Sequence, residues 1–276
     1  LMKFLDNLAQ TLKGVAKIII QSRPSHIPAV TRGTTVTVMA NGPSLKKSLE
    51  ENTEYFLDNT TIAVNFAPVS DEFFYVKPVY LVLADPHFFK EPGSDDNLKR
   101  LNEAIARIDW PLTIFVPHRY VGKARGLWTG SSISVCGFNN VGIEGFRWFR
   151  QLVYRLKLGM PRPRNVAIPS LMLAIWMGYR EILLFGADHS WMQTLSVTDD
   201  NEVVSVQPHF YKEDSREEER VRHEYKGYRL HQIVQSFAIA FKSYIDVEDF
   251  ARSVGCSIVN LTPGSMIDAF CRVRAN

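Results

Sequence analysis

The chain has 276 residues, of which 46% are hydrophobic and 22% charged, and its net charge is +3. This suits one large α/β domain or two small ones, with enough core to need no disulfide or metal staple. Three scattered cysteines argue against a secreted disulfide framework, the small charge gives no ground for a nucleic-acid partner, and no apolar run reaches the ~18–20 residues that span a bilayer.

Residues 1–22 form the first element. Phe4, Leu5, Leu8, Leu12, Val15, Ala16 and Ile19 recur at helical spacing, with Lys3, Asp6, Lys13 and Lys17 on other faces. This is an amphipathic helix that either packs on the domain or lies on a membrane surface. The opening Leu1-Met2-Lys3-Phe4 lacks the apolar run and cleavage site of a signal peptide. The chain therefore reads as cytoplasmic, with contact at the inner membrane face left open. Residues 21–33, rich in Ser, Pro, Thr and Gly, read as a linker.

Residues 33–276 read as a single domain. Strands are predicted at Thr34–Ala40, Thr61–Asn65, Val79–Ala84, Leu112–Val116, Glu181–Gly186 and Ser257–Leu261, and helices at Leu45–Phe56, Asp95–Ile108, Val166–Met177 and Tyr228–Val254. Short apolar strands alternating with helices predict an α/β, Rossmann-like, mainly parallel sheet with helices on both faces. Two segments break the rhythm and are expected to be insertions, including a lid: 119–164, with nine Lys or Arg against the single acid Glu144, and 189–227.

In such sheets ligands bind beyond the carboxyl ends of the strands. Polar residues close each predicted strand: Asn41-Gly42-Pro43-Ser44, Asn65, Asp85-Pro86-His87, Pro117-His118-Arg119, Asp188-His189 and Thr262-Pro263-Gly264-Ser265. The Asn41–Ser44 turn is neither a dinucleotide fingerprint nor a P-loop. Gly42 permits close backbone approach, and the helix after Ser44 turns its positive end outward, so the turn can hold an anion; equally, it is a tight turn with Ser44 as helix cap. Asp85 and Asp188 either share a Mg²⁺ or cap their own helices. His87, His118 and His189 lack zinc-site spacing.

The order Ala40-Asn41-Gly42-Pro43-Ser44-Leu45, Ala63-Val64-Asn65-Phe66, Met177-Gly178-Tyr179-Arg180-Glu181-Ile182 with Gly186-Ala187-Asp188, and Leu261-Thr262-Pro263-Gly264-Ser265 resembles the bacterial CMP-sialic-acid-dependent sialyltransferases. It is also similar to related polysaccharide-locus proteins, and to a sister group of archaeal 6-hydroxymethylpterin pyrophosphokinase-like proteins. The resemblance covers roughly residues 34–90 and 165–270. It implies nucleotide contacts from Asn41 and Asn65, and a general-base histidine at His209. This chain carries Asp85 where that family has a third asparagine, and Asn165-Val166-Ala167 near its Thr-Ser-Gly. A carboxylate at position 85 would repel a donor phosphate or bind a cation.

The resemblance implies a glycosyltransferase, sialyltransferase-like and inverting, that moves a sugar from a nucleotide-sugar donor, CMP-linked, to a glycan or lipid-linked acceptor. His209 is then the base and His189, beside Asp188, a second acid/base candidate, because imidazole titrates near neutrality. Tyr211 and Tyr225 are candidate donors to the leaving phosphate, with plain lid packing as the alternative. Transfer requires no cofactor. A Mg²⁺-dependent pterin-type pyrophosphokinase, or a non-catalytic nucleotide- or glycan-binding member, are the competing readings. A homo-oligomer is compatible with all three.

Overall fold

The computed structural model describes residues 1–30, 34–91, 95–205 and 227–273. Ten strands are present among them: β1 Thr35–Met39, β2 Thr60–Val64, β3 Tyr80–Val82, β4 Leu112–Pro117, β5 Ile133–Phe138, β6 Glu181–Phe185, β7 Ser196–Val197, β8 Val203–Val204, β9 Ser257–Asn260 and β10 Cys271–Arg272. Eight form one parallel sheet in the order β10-β9-β6-β1-β2-β3-β4-β5, and β7 and β8 pair as a separate antiparallel hairpin. The helices are α1 Met2–Gln21, α2 Ser44–Glu51, α3 Glu54–Leu57, α4 Asp71–Val76, α5 Asp96–Ala106, α6 Val121–Leu127, α7 Arg147–Arg155, α8 Ala167–Met177 and α9 Leu230–Ser253.

Successive strand side chains enter opposite layers. Val36 and Val38 of β1 join α8 and the buried Tyr244, Val247 and Phe250 of α9 in one core, while Met39 meets Leu45, Leu49 and Phe56 on the other side. Helices thus cover both faces, as the β-branched strands require. Every residue of α8 is buried. The helix ends at Gly178 with φ +97, a left-handed cap that glycine takes without Cβ strain.

The structure departs from the sequence expectations in three places. Residues 119–164 are not all insertion: they supply α6, α7 and β5, and β5 pairs with β4 over six residues. Residues 21–30 are fixed to the domain rather than free. Asn139 accepts from the Arg23 amide at 2.9 Å and donates to Arg23 O at 2.7 Å, and Ile27 is buried in the main core. The predicted helix Leu45–Phe56 breaks into α2 and α3, because Asn52 Nδ2 and Thr53 Oγ1 bond back to the carbonyls of Ser48 and Leu49. Residues 189–205 form a short 3₁₀ turn and the β7–β8 hairpin, with the Trp191 ring packed at a tilt against Phe237 of α9, centroids 4.2 Å apart.

Candidate functional site

The chain leaves β1 toward β2 on one side and later returns as β6 on the other, so β1 and β6 flank the switch point of the sheet. Two turns meet there, backbone to backbone. Gly42 N donates to Gly186 O at 2.7 Å, and a Cβ on Gly42 would collide with Gly186 O and Asp188 Oδ2. Gly186 has φ +67, and a Cβ there would lie 2.5 Å from Ala40 O. The close approach that Gly42 permits is therefore to the neighbouring turn.

Ser44 and Asp188 hold each other across this junction. The Ser44 hydroxyl donates to Asp188 Oδ2 at 2.8 Å and its amide to Oδ1 at 3.3 Å. Burial raises the Asp188 pKa, and the Ser44 bonds oppose that rise. A carboxylate thus meets the positive end of α2, which favours it electrostatically. The turn after β9 buttresses the same place: Thr262 Oγ1 accepts from Ala187 N at 3.1 Å, and Ser265 Oγ donates to Ala187 O at 2.7 Å.

Asn41 lies in the junction, 7% exposed. Asn65, ending β2, has φ 51, and its side-chain oxygen is buried with no hydrogen-bond partner among the described residues. His189, ending the turn after β6, has φ 55. The left-handed region is uncommon for residues other than glycine, though Asn and His enter it more readily than most. Two such residues close the strands on either side of β1.

His189 is the centre of a polar network that sequence reasoning did not assemble. Its Nε2 stands 2.6 Å from the hydroxyl of Tyr244, and that hydroxyl donates to Asn165 Oδ1 at 2.9 Å. Asn165 Oδ1 also accepts from the amides of Ala167 and Ile168, at 3.1 and 3.3 Å, capping α8. The bonds run in one direction when Nε2 carries the imidazole proton: His189 to Tyr244 to Asn165. Nδ1 then holds the free lone pair, and it has no partner among the described residues. Trp191, Phe241 and Tyr244 enclose the ring. This burial lowers the His189 pKa to about 4, so the imidazole is neutral at pH 7. The same burial raises the Tyr244 pKa far above the ordinary phenol value. Tyr244 carried no signal in the sequence beyond an aromatic at core spacing. Asn165 did, as an amide residue just before an apolar helix.

The remaining candidates lie apart from this network. Asp85 caps the turn Pro86–Phe89, its Oδ1 accepting from His87 N at 2.7 Å. His87 pairs with Asp95 at 2.9 Å, and His118 Nε2 with Ser25 Oγ at 2.8 Å. Among the described residues no three of His, Cys, Asp and Glu stand close enough to share a metal ion. His209, Tyr211 and Tyr225 lie outside the described residues.

No protein-family model and no curated protein sequence matches the chain. Among solved structures it is similar to a MAf glycosyltransferase from Magnetospirillum magneticum AMB-1, with a TM-score of 0.51 and 13% identity. The match covers 97% of this chain and 38% of that one, so this chain spans well under half the length of that protein. At such identity the two share a fold, consistent with the Rossmann-like sheet described above.

Proposed function

We propose that this chain is the catalytic core of a glycosyltransferase that takes its sugar from a nucleotide-linked donor, CMP-linked by the sequence resemblance, and passes it to a surface-glycan acceptor. The observation that carries the reading is the set of strand ends around β1: Asn41 after β1, Asn65 after β2 and the His189–Tyr244–Asn165 network after β6 all stand at the carboxyl edge of the parallel sheet, where such sheets bind ligands. The similarity in fold to a glycosyltransferase supports the same class.

In the proposed reaction the acceptor hydroxyl oxygen bonds to the anomeric carbon. The bond from that carbon to the donor phosphate oxygen breaks, and the nucleotide leaves with the electron pair. Attack from the face opposite the leaving group inverts the centre. A base takes the hydroxyl proton, and His209 is assigned that task. His189, neutral and held by Tyr244, is the wrong base for pH 7; with its proton on Nε2, its Nδ1 would accept a hydrogen bond. Arg162 and Arg164, just before α8, supply positive charge for the phosphate. Burial and the Arg162 charge already lower the Arg164 pKa, a strain that an anion would relieve.

The test is calorimetric. CMP should bind the intact chain without added metal, and more tightly than UDP, GDP or ATP. Asn41→Ala should weaken CMP binding by roughly tenfold, the worth of one hydrogen bond to a ligand. Binding of ATP alone, and only with Mg²⁺, would instead point to the pyrophosphokinase reading.

A further inference from the structure

The helix α1 packs on the domain by the wrong face. Thr11 and Gly14 are its buried residues: Thr11 Oγ1 accepts from Phe146 N at 3.1 Å, and Gly14 sits against the Phe149 ring. Lys17 Nζ donates to Gly142 O at 3.1 Å. At 3.6 residues per turn, the apolar stripe lies roughly a quarter-turn away from that contact line. That stripe stays in solvent: Leu5, Leu12 and Ile19 are 53%, 63% and 75% exposed. Folding usually hides such a stripe against the core.

The α7 helix extends the patch. Trp148, Leu152 and Leu156 recur every fourth residue on one side and are 65%, 50% and 57% exposed. Contacts at both ends lay the two helices side by side: the Phe4 ring stands 5.4 Å from that of Phe146, and Ser22 Oγ donates to Leu158 O. Charge around this surface is net positive. Lys3, Lys13 and Lys17 outnumber Asp6 on α1. Arg147 and Arg150 are paired with Asp249 and Asp246, but Arg155 and Lys157 at the end of α7 have no acidic partner among the described residues. A basic rim around an apolar stripe repels a second copy of itself and attracts anionic headgroups. Tryptophan at such a border suits the water–lipid boundary.

We propose that α1 and the exposed side of α7 dock on an anionic lipid bilayer, lying in its surface. Among the described residues no helix is long and apolar enough to cross one. The proposal rests on the exposed faces alone and stands apart from the glycosyltransferase reading.

The experiment is sedimentation of the full chain with vesicles of equimolar phosphatidylglycerol and phosphatidylcholine, and with phosphatidylcholine alone. Binding to the anionic vesicles at low salt should exceed binding to the neutral ones. It should weaken at ~1 M salt, where the Debye length is about 3 Å. Leu12→Glu with Ile19→Glu should lower the partition by roughly a hundredfold, with the melting temperature unchanged because both side chains are exposed. Lys3→Gln with Lys13→Gln should lower it at low salt only. Tyr75→Ser, an exposed aromatic on α4, should leave it unchanged. The proposal is overturned if the chain does not bind anionic vesicles, or if the Leu12/Ile19 variant binds them as well as the parent. It is equally overturned if sedimentation velocity shows a dimer that the variant splits, since a second copy would then cover the face.

Discussion

His189 shows how one side chain can tie stability to pH. Its folded pKa is depressed to about 4, against an ordinary 6.5. Between those values the unfolded chain binds the proton and the folded chain does not, so stability falls as pH drops from about 6.5 toward 4. It is fully present above 6.5 and loses nothing further from this group below 4. The loss is about 3 kcal/mol at most, taking 1.36 kcal/mol per unit. His189→Asn tolerates the left-handed backbone and carries no titrating ring. Denaturant unfolding of that variant at several pH values should therefore show a flatter slope across the window. The same number separates the two histidines in catalysis. A rate limb that vanishes in His209→Ala marks His209 as the base; a limb near pH 4 that survives in that variant would mark His189. Much of this site was legible in the sequence, because Asn41, Asn65, Asp188 and His189 each end an apolar run. The partners were not. Tyr244 sits inside a helix at ordinary core spacing, and only the packing of α9 over α8 brings its hydroxyl to His189.

At the scale of elements, α7 and α9 are joined by charge. Arg150 pairs with Asp246, whose side chains are only 17% and 13% exposed, and Arg147 pairs with Asp249 at the solvent edge. Asp246→Ala should cost about 3–5 kcal/mol, because it strands a buried guanidinium. Arg150→Met combined with Asp246→Leu should recover most of that, and urea melts of the three variants would show it. The basic residues of 119–164 read as part of an insertion, and the sequence gave no sign of their acidic partners 96–102 residues away. The edge strands were hidden for another reason. Ile133–Phe138 is half-exposed and broken by Gly137, so it lacks the unbroken apolar run of the central strands, and β10 is two exposed residues. The buried helix Ala167–Met177 was plain because every side chain in it needs a dry partner.

Across the whole molecule, protection should be graded by layer. Strands β1, β2 and β6 and helix α8 lie between buried clusters, whereas α1 and β10 present mostly exposed residues. Native-state hydrogen exchange should find the β1 and α8 amides opening only with global unfolding, and those of α1 and β10 opening locally at much lower free energy. Rapid exchange throughout α8 would contradict this arrangement. The strand order also bears on how the chain is born. β2 through β5 each pair with the strand before them, so five of the eight strands can assemble as they leave the ribosome. β1 nevertheless waits for β6, whose pairing begins at Glu181. At about 5–20 residues per second, the stretch from β5 to β6 occupies several seconds of synthesis. For that interval the nascent chain carries a naked edge at β1, whose residues 36–39 are buried in the finished sheet, open to another chain's strand. Translation stalled in that stretch would leave a template for aggregation, and a chaperone acting on this protein has its moment there.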